Sequence, residues 1–316
     1  NQFGFVWNGK VIADKLFFLS NFEGTRDTKT FQGTANVAPT PWRTGDFSGQ
    51  AAMIFDPDTR VFQTTNGVER AVSAMPFPGN RIPMNRLHPI YGKLLEFYPE
   101  ATRTGQDIVQ NYVRQRKRPL NSDQFTQRFD FNESSKSAWF GRFSVADDFE
   151  RRIEAFPQQE GGVQVKVWQV MAANTRTLAP NIVNETRFGY NRFDNDLILR
   201  YAYERDVTKE LGIRGLVSPS TNAWGTPAIQ LGSGLSGFGE SGNGPWIYRN
   251  RTMQFLNNTS VILGKHTLRF GVESRRDIYN AQGNTVARGR FYYQGLLSIA
   301  PGGRAQAANL WADFAL

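Results

Sequence analysis

Two histidines, His88 and His266, are all the chain offers for imidazole chemistry, and it has no cysteine. No Asp or Glu stands at ligand or triad spacing to either histidine. A His-based metal site or nucleophile–base pair is therefore not expected. The absence of Cys also removes disulfides and thiolate chemistry. Asp56-Pro57-Asp58 could offer oxygens to Ca²⁺, but a Ca²⁺ shell needs roughly six to eight of them, and a turn is the expected role. Asp147 and Asp148 are adjacent, and nothing marks them as an acid and a base. Gly232-Ser233-Gly234-Leu235-Ser236-Gly237 fits G-x-G-x-x-G. A dinucleotide site would also need a buried strand before it, a helix after it, and an acidic residue about 20 positions on. The next residues, Phe238–Pro245, are too glycine-rich for a helix, so a flexible loop is expected. The chain is expected not to be an enzyme, and to hold no cofactor and no metal.

The remaining chemistry is charge and aromatic surface. Net charge is +9 with a pI near 9.8. The densest cluster is Arg114, Arg116, Lys117 and Arg118, in an expected loop. A nucleic-acid patch is one reading of such a cluster. A solvated loop touching lipopolysaccharide phosphates is preferred, because the charge is otherwise spread along the chain, and no nucleic-acid partner is expected. Trp42, Trp224 and Trp246 also fall in expected loops and are candidate contacts for a small-molecule or glycan ligand.

The elements that must carry these residues come in pairs. Phe3–Trp7 and Leu16–Phe22 flank a short link, as do Phe125–Phe131 and Ala138–Val145. So do Val163–Ala173 and Ile182–Phe193, and Met253–Leu263 and His266–Arg275, the last pair separated only by Gly264-Lys265. Longer segments separate the pairs, with 23–124 and 194–252 the largest. Short turns at one end and long loops at the other are the pattern of a transmembrane β-barrel. No apolar run is long enough for a transmembrane helix, a limit that does not apply to barrel strands.

Alternation assigns the faces. In Phe125–Phe131 the aromatics Phe125, Phe129 and Phe131 hold odd positions and the even ones are polar. Leu268, Phe270 and Val272 alternate with Thr267, Arg269, Gly271 and Glu273. Trp139, Phe143 and Val145 oppose Phe140 and Arg142, while Phe188 and Tyr190 oppose Arg187 and Asn191. An Arg on the lipid face near the midplane would cost roughly 2–4 kcal/mol. Arg142, Arg187, Arg269 and Glu273 are therefore expected to face the lumen. Aromatic content of 13% suits such strands and their interface girdles. The alternative is a soluble or surface-attached β-sandwich module that binds glycans.

Within 23–124, Leu87, Ile90, Leu94, Leu95 and Tyr98 recur at helical steps in Met84–Tyr98. Pro89 suits a first turn and Pro99 a stop, which predicts a short helix packing on its own loop. A loop of this length is expected to fold into a cap. Asn1 is followed at once by strand-like residues without a basic-then-apolar leader, and the chain stops at Leu316 without a closing strand, so it reads as cut from something longer. A further strand is expected near Arg290–Tyr293.

Several segments, in order, resemble a known family. They are Asn1–Phe5, Lys15–Gly24, Arg43–Gly49, Ile54–Pro57 and Pro76–Pro83, then Phe140–Ser144, Val183–Arg192 and Gly264–Gly271. Together they resemble TonB-dependent outer-membrane receptors, in particular the Oar-like branch with its carboxypeptidase-regulatory-like domain. Glu150–Val170 departs from the family's pattern. The resemblance implies an all-β fold: an antiparallel transmembrane β-barrel segment, about 8–10 strands of a barrel of about 22, with long extracellular loops. It implies a partial barrel domain over 1–316, the plug and the C-terminal strands lying outside it. It also implies uptake of a scarce ligand such as a siderophore or glycan, powered through TonB by the missing N-terminal region, in contact with outer-membrane lipid and lipopolysaccharide.

Overall fold

The computed structural model describes residues 1–103, 108–216, 220–232, 234–240, 244–283 and 286–316. Eight long strands form one antiparallel sheet in the order β1-β2-β5-β6-β7-β8-β10-β11. They are β1 (Gln2–Ile12), β2 (Leu16–Ala35), β5 (Tyr112–Ser134), β6 (Ser137–Arg152), β7 (Gly161–Ala179), β8 (Ile182–Leu199), β10 (Trp246–Leu263) and β11 (His266–Gly283). No second sheet packs on this one among the described residues, which sets aside the β-sandwich alternative. The open sheet is a segment of a barrel wall.

Tight turns join the strands at one end. Pro180-Asn181 links β7 to β8, and Gly264-Lys265 links β10 to β11. Gly264 holds φ +57°, which glycine adopts without a Cβ penalty. At the other end the connections are 36–111, 153–160 and 200–245. The two large loops are thus shorter than the 23–124 and 194–252 expected from alternation. β2 pairs with β5 out to Ala35↔Tyr112, and β8 with β10 out to Leu197↔Trp246. The β2–β5 extension is largely polar on both faces, as suits strands that leave the bilayer, whereas the β8–β10 extension carries Leu197, Trp246 and Tyr248. The β2–β5 extension shows no hydrophobic period, so the sequence pattern hides it.

The β6–β7 region, where register is hardest to read, is regular: Arg152↔Gly161 through Ser137↔Arg176 pair without interruption. The strand at Arg290–Tyr293 (β12) exists but lies outside the barrel sheet. It pairs in parallel with β9 (Ala228–Leu231). Its four residues are too few to cross a bilayer. A small exposed hairpin, β3 (Val61–Thr65) and β4 (Val68–Ser73), turns through Asn66-Gly67, both at positive φ.

The loops condense into a cap with its own core. Trp311, Phe47, Ile54, Tyr98, Phe156 and Ile229 are almost fully buried there. Among the described residues the α-helices are α1 (Thr40–Arg43), α2 (Pro89–Leu94), α3 (Val207–Leu211) and α4 (Ala307–Ala315), and all belong to the cap. α4 is its centre. The Trp311 indole N–H donates to Trp42 O at 3.0 Å and to the Tyr91 hydroxyl at 3.1 Å, and its ring packs on Tyr98 at 4.8 Å. α2 is shorter than Met84–Tyr98, being flanked by 3₁₀ turns at Met84–Arg86 and Leu95–Phe97. Pro89 opens it, the His88 imidazole caps it, and Tyr91 and Leu94 are buried.

The family-like segments build the floor of this cap. The Asn80 amide donates to Phe47 O and Ala52 O and accepts from Ile54 N, each at 2.8–2.9 Å. Ile82 N donates to Gly45 O at 2.9 Å. One side chain thereby ties together the 43–49, 54–57 and 76–83 segments.

Candidate functional site

Register divides the sheet into two faces of opposite chemistry. On the outer face one row runs Phe5–Phe22–Phe125–Val145–Trp168–Arg192. Two rows toward the turns, Phe18, Phe129, Gly141, Ala172, Phe188 and Phe255 line up. Phe129, Phe188 and Phe255 are 46%, 47% and 43% exposed although they sit on central strands. Aromatic surface left open in mid-sheet has lipid as its natural solvent. On β11 the apolar residues are Leu268, Phe270 and Val272, nearer the turns than on β5. A level membrane crosses the register rows diagonally when strands tilt, as barrel closure requires.

The apolar band ends at a charged row. Asp123, Asp147, Lys166, Asp194 and Arg249 occupy one hydrogen-bonded row on the outer face. Arg26 bonds Asp123 at 2.7 Å, Lys166 lies 3.6 Å from Asp147, and Arg192 bonds Asp194 at 2.7 Å. The Arg192 guanidinium also lies 5.0 Å from the centre of the Trp168 ring. From Phe131 at the turn end to Asp123 the band spans about 20 Å, at ~3.3 Å per residue and a tilt near 40°. That approaches the ~25 Å apolar belt of outer-membrane barrels.

Arg142, Arg187, Arg269 and Glu273 all lie on the opposite, inner face. Arg187 bonds Glu185 through its Nε at 2.8 Å, and Glu273 accepts from the Gln254 amide at 2.6 Å. Arg142 stands opposite Arg128 in the register, and Arg128 is held by Asp130 at 2.7 Å and packs over Phe140 at 4.7 Å. Arg142 and Arg269 are exposed and make no ion pair among the described residues. The inner face is thus a wet surface on which Arg142 and Arg269 hold free guanidinium groups.

The loop-side candidates are rearranged. Trp42 is buried at 3% exposure in the cap core, packed on Phe47, so it is a structural residue and not an open contact. Trp224 is half-buried in the cap beside the 3₁₀ turn Thr221–Ala223. Trp246 is not in a loop: it begins β10. Its ring stacks on Tyr248 at 6.2 Å and 7°, and Tyr248 meets Tyr279 of β11 at 6.0 Å. These three rings form an aromatic patch on the inner face at the loop end. Tyr248 and Tyr279 escape sequence reasoning, although the Trp246-x-Tyr248 spacing within a strand is the signal that would find them. Arg114, Arg116, Lys117 and Arg118 are likewise not in a loop but on β5, beyond the charged row. Arg118 bonds Glu150 at 2.6 Å.

The other sequence candidates take structural roles. Asp56 caps a 3₁₀ turn through Asp58 N and pairs with Arg86 at 2.8 Å, and the Arg86 guanidinium holds its carboxyl below the usual range. No metal-binding cluster of His, Asp and Glu is found among the described residues. In the glycine-rich segment Ser233 lies outside the described residues, and Phe238 bridges Ile229 inside the cap core instead of opening a helix. His88 lines an apolar cavity of about 320 Å³ with Tyr91, Tyr293 and Phe314. Glu240 and Arg288 form a buried pair at 3.2 Å, their side chains 0% and 3% exposed. Burial pushes the Glu240 carboxyl up to about 7 despite the nearby guanidinium.

Across residues 1–316 the chain matches the model of an outer membrane β-barrel domain family, and it belongs to that family. It is a protein of the bacterial outer membrane. No curated protein matches it. Among solved structures it is similar to the outer membrane transporter YddB from Escherichia coli, with 8% identity and a TM-score of 0.46. The match covers 89% of this chain and 25% of that one, so this chain spans about a quarter of that protein's length.

Proposed function

We propose that this member of the outer membrane β-barrel domain family is part of a TonB-dependent active transporter that takes up a scarce ligand such as a siderophore or glycan. One observation carries the reading. A wall with lipid chemistry outside and free cations inside ends under an ordered cap built from the loops. A passive pore needs no such cap, whereas a selective uptake protein must recognise its ligand at the mouth before passage.

The long loops then face the exterior and the tight turns the periplasm. Trp246, Tyr248 and Tyr279 offer stacking surface where the cap meets the inner face, and Arg142 and Arg269 offer charge deeper in. The work is binding and passage, with no covalent step and no nucleic-acid partner. The energy comes through TonB, by way of a segment preceding the barrel.

Uptake of radiolabelled ferric siderophores and of oligosaccharides tests this in cells where the intact protein is the only route. Accumulation that ceases when TonB is removed supports the proposal. Accumulation that persists without TonB would falsify it.

A further inference from the structure

The apolar band on the outer face has a polar island in it. Asn184 and Thr186 on β8 pair with Thr259 and Asn257 on β10, and Asn174 on β7 stands beside Thr186. All five side chains share the outer face with Phe188 and Phe255 by strand parity, and all are half-buried. Apolar residues close the island off on three sides: Ile182 and Val261 toward the turns, Phe188 and Phe255 toward the loops, Phe270 and Val272 along β11. None of it belongs to the inner face or the cap, so ligand uptake does not use it. Polar groups at this depth are costly, because hydrocarbon offers them no hydrogen bond.

The island offsets most of that cost by bonding to itself. The Asn184 amide donates to Asn257 Oδ1 at 3.0 Å and to Thr259 Oγ1 at 2.8 Å. Its own Oδ1 accepts from Asn257 Nδ2 at 3.2 Å and from Thr186 Oγ1 at 3.3 Å. Asn257 also donates to Thr186 Oγ1 at 2.8 Å. Two groups are left over. The Thr259 hydroxyl accepts but donates to nothing among the described residues. Asn174 donates to Ser137 Oγ at 3.0 Å and to Ala138 O at 3.1 Å, and its Oδ1 accepts from nothing among the described residues. One unused donor and one unused acceptor thus stand on opposite flanks of the island.

Their placement identifies the occupant. A level line in the membrane drops about two residues toward the turns over the two strand steps from β7 to β10, at ~4.8 Å between strands and a tilt near 40°. Asn174 is in register, through Thr186, with Asn257, so that line runs from Asn174 to Thr259. The leftover donor and acceptor therefore sit at one depth, with Asn184 and Thr186 midway between them. A two-fold axis along the membrane normal through that midpoint sets the Thr259 hydroxyl of each copy against the Asn174 side-chain oxygen of the other. Copies of one chain insert in one orientation and present the island at the same depth, and a patch holding both a donor and an acceptor is self-complementary. We propose that two copies of the intact protein pack side by side through this stretch of wall, with the island enclosed between the barrels. The inference rests on outer-membrane location and not on the transport reading, so the two can fail separately.

Residues 1–316 contain no cysteine, so a single introduced thiol reports on the contact. Thr186→Cys, beside the axis, and Phe129→Cys, on β5 elsewhere in the band, are each placed in the intact protein and oxidised in outer membranes, with the unsubstituted protein as the blank. The expected result is a disulfide-linked homodimer from Thr186→Cys and monomer from Phe129→Cys. No homodimer from Thr186→Cys, equal linkage from both positions, or linkage to a different protein overturns the proposal. Energy transfer between donor- and acceptor-labelled copies in lipid vesicles then gives the dimerisation constant across a dilution series. A side-chain hydrogen bond inside a bilayer contributes roughly threefold, so Asn174→Leu with Thr259→Val, which removes both symmetric bonds, should weaken dimerisation about eightfold. Unchanged dimerisation overturns the proposal as well. Gel mobility before and after heating reports whether the barrel is folded. If the double variant is not, Thr259→Val alone removes the same two donors and carries the same comparison.

Discussion

Phe255 and Gln254 are neighbours on β10 that the face assignment places in different solvents. Phe255 stands on the outer face opposite Phe188 and is 43% exposed in the middle of the apolar band. Gln254 points inward and donates to Glu273 at 2.6 Å. Phe255→Arg puts a guanidinium into the hydrocarbon, at roughly 2–4 kcal/mol near the midplane. That is about 30- to 900-fold in the folding equilibrium. Gln254→Arg places the same group in a wet lumen beside a carboxylate, an exposed pair contributing about 0–1 kcal/mol in the stabilising direction. Folding of the intact protein into lipid vesicles across a urea series measures both. The expected outcome is a large drop in midpoint for Phe255→Arg and little or no change for Gln254→Arg. Equal losses, or the reverse order, would refute the face assignment and with it the reading of the sheet as a barrel wall.

Asn80→Ala removes three hydrogen bonds from a residue that is 6% exposed and held at φ +56°. At about 1 kcal/mol per bond it should loosen the cap by about 3 kcal/mol, seen as faster protease cleavage in 43–83 on whole cells while the barrel stays heat-modifiable. The Glu240 carboxyl is raised from 4.5 to about 7 by burial, so the folded cap binds an extra proton between those values. The contribution of Glu240 to cap stability is then full below pH 4.5 and is lost as pH rises to about 7. Hydrogen exchange at pH 5 and pH 8, corrected for intrinsic rates, should show this, and Glu240→Gln should flatten it. Trp246→Ala with Tyr279→Ala removes two rings of the inner-face patch at roughly 1–2 kcal/mol each. Affinity for a transported ligand, by calorimetry, should fall at least tenfold with no change in barrel folding.

The strands are legible in the sequence where lipid touches them and illegible where it does not. Phe125–Phe131 alternates because one face meets hydrocarbon and the other water, and the structure keeps that register. Arg114–Leu120 continues the same strand with Arg, Gln, Lys and Pro on both faces, so nothing periodic marks it. Trp246 reads as loop for the same reason, since Trp246–Arg251 alternates too weakly to mark a strand start. The cap is legible only as a need for structure. Met84–Tyr98 announces a helix, but its partner, α4, lies more than two hundred residues on in the chain. Such pairing is a long-range event that no local period encodes. Trp42 misleads because an aromatic among glycines and prolines looks like loop surface, and only the fold shows that Trp311 and Phe47 enclose it.

These cases share one physical cause, a change of solvent along a single chain. Near the turns the apolar side chains point outward because the surroundings are hydrocarbon, and the polar face is gathered inside. Past the row of Asp123, Asp147, Lys166 and Asp194 the surroundings are water, and the rule inverts: Trp311, Tyr98 and Phe156 bury themselves in the cap. A sheet cannot turn inside out between adjacent residues. The strands instead cross the boundary as polar ribbons whose backbone hydrogen bonds remain paired, such as Gln32↔Gln115 and Thr30↔Lys117. Where a neighbouring strand stops short, as β6 does at Arg152, the ribbon is left with an open flank lined mainly by polar and charged side chains. Arg114, Arg116 and Lys117 stand along that flank, and their position follows from the unequal lengths of β5 and β6.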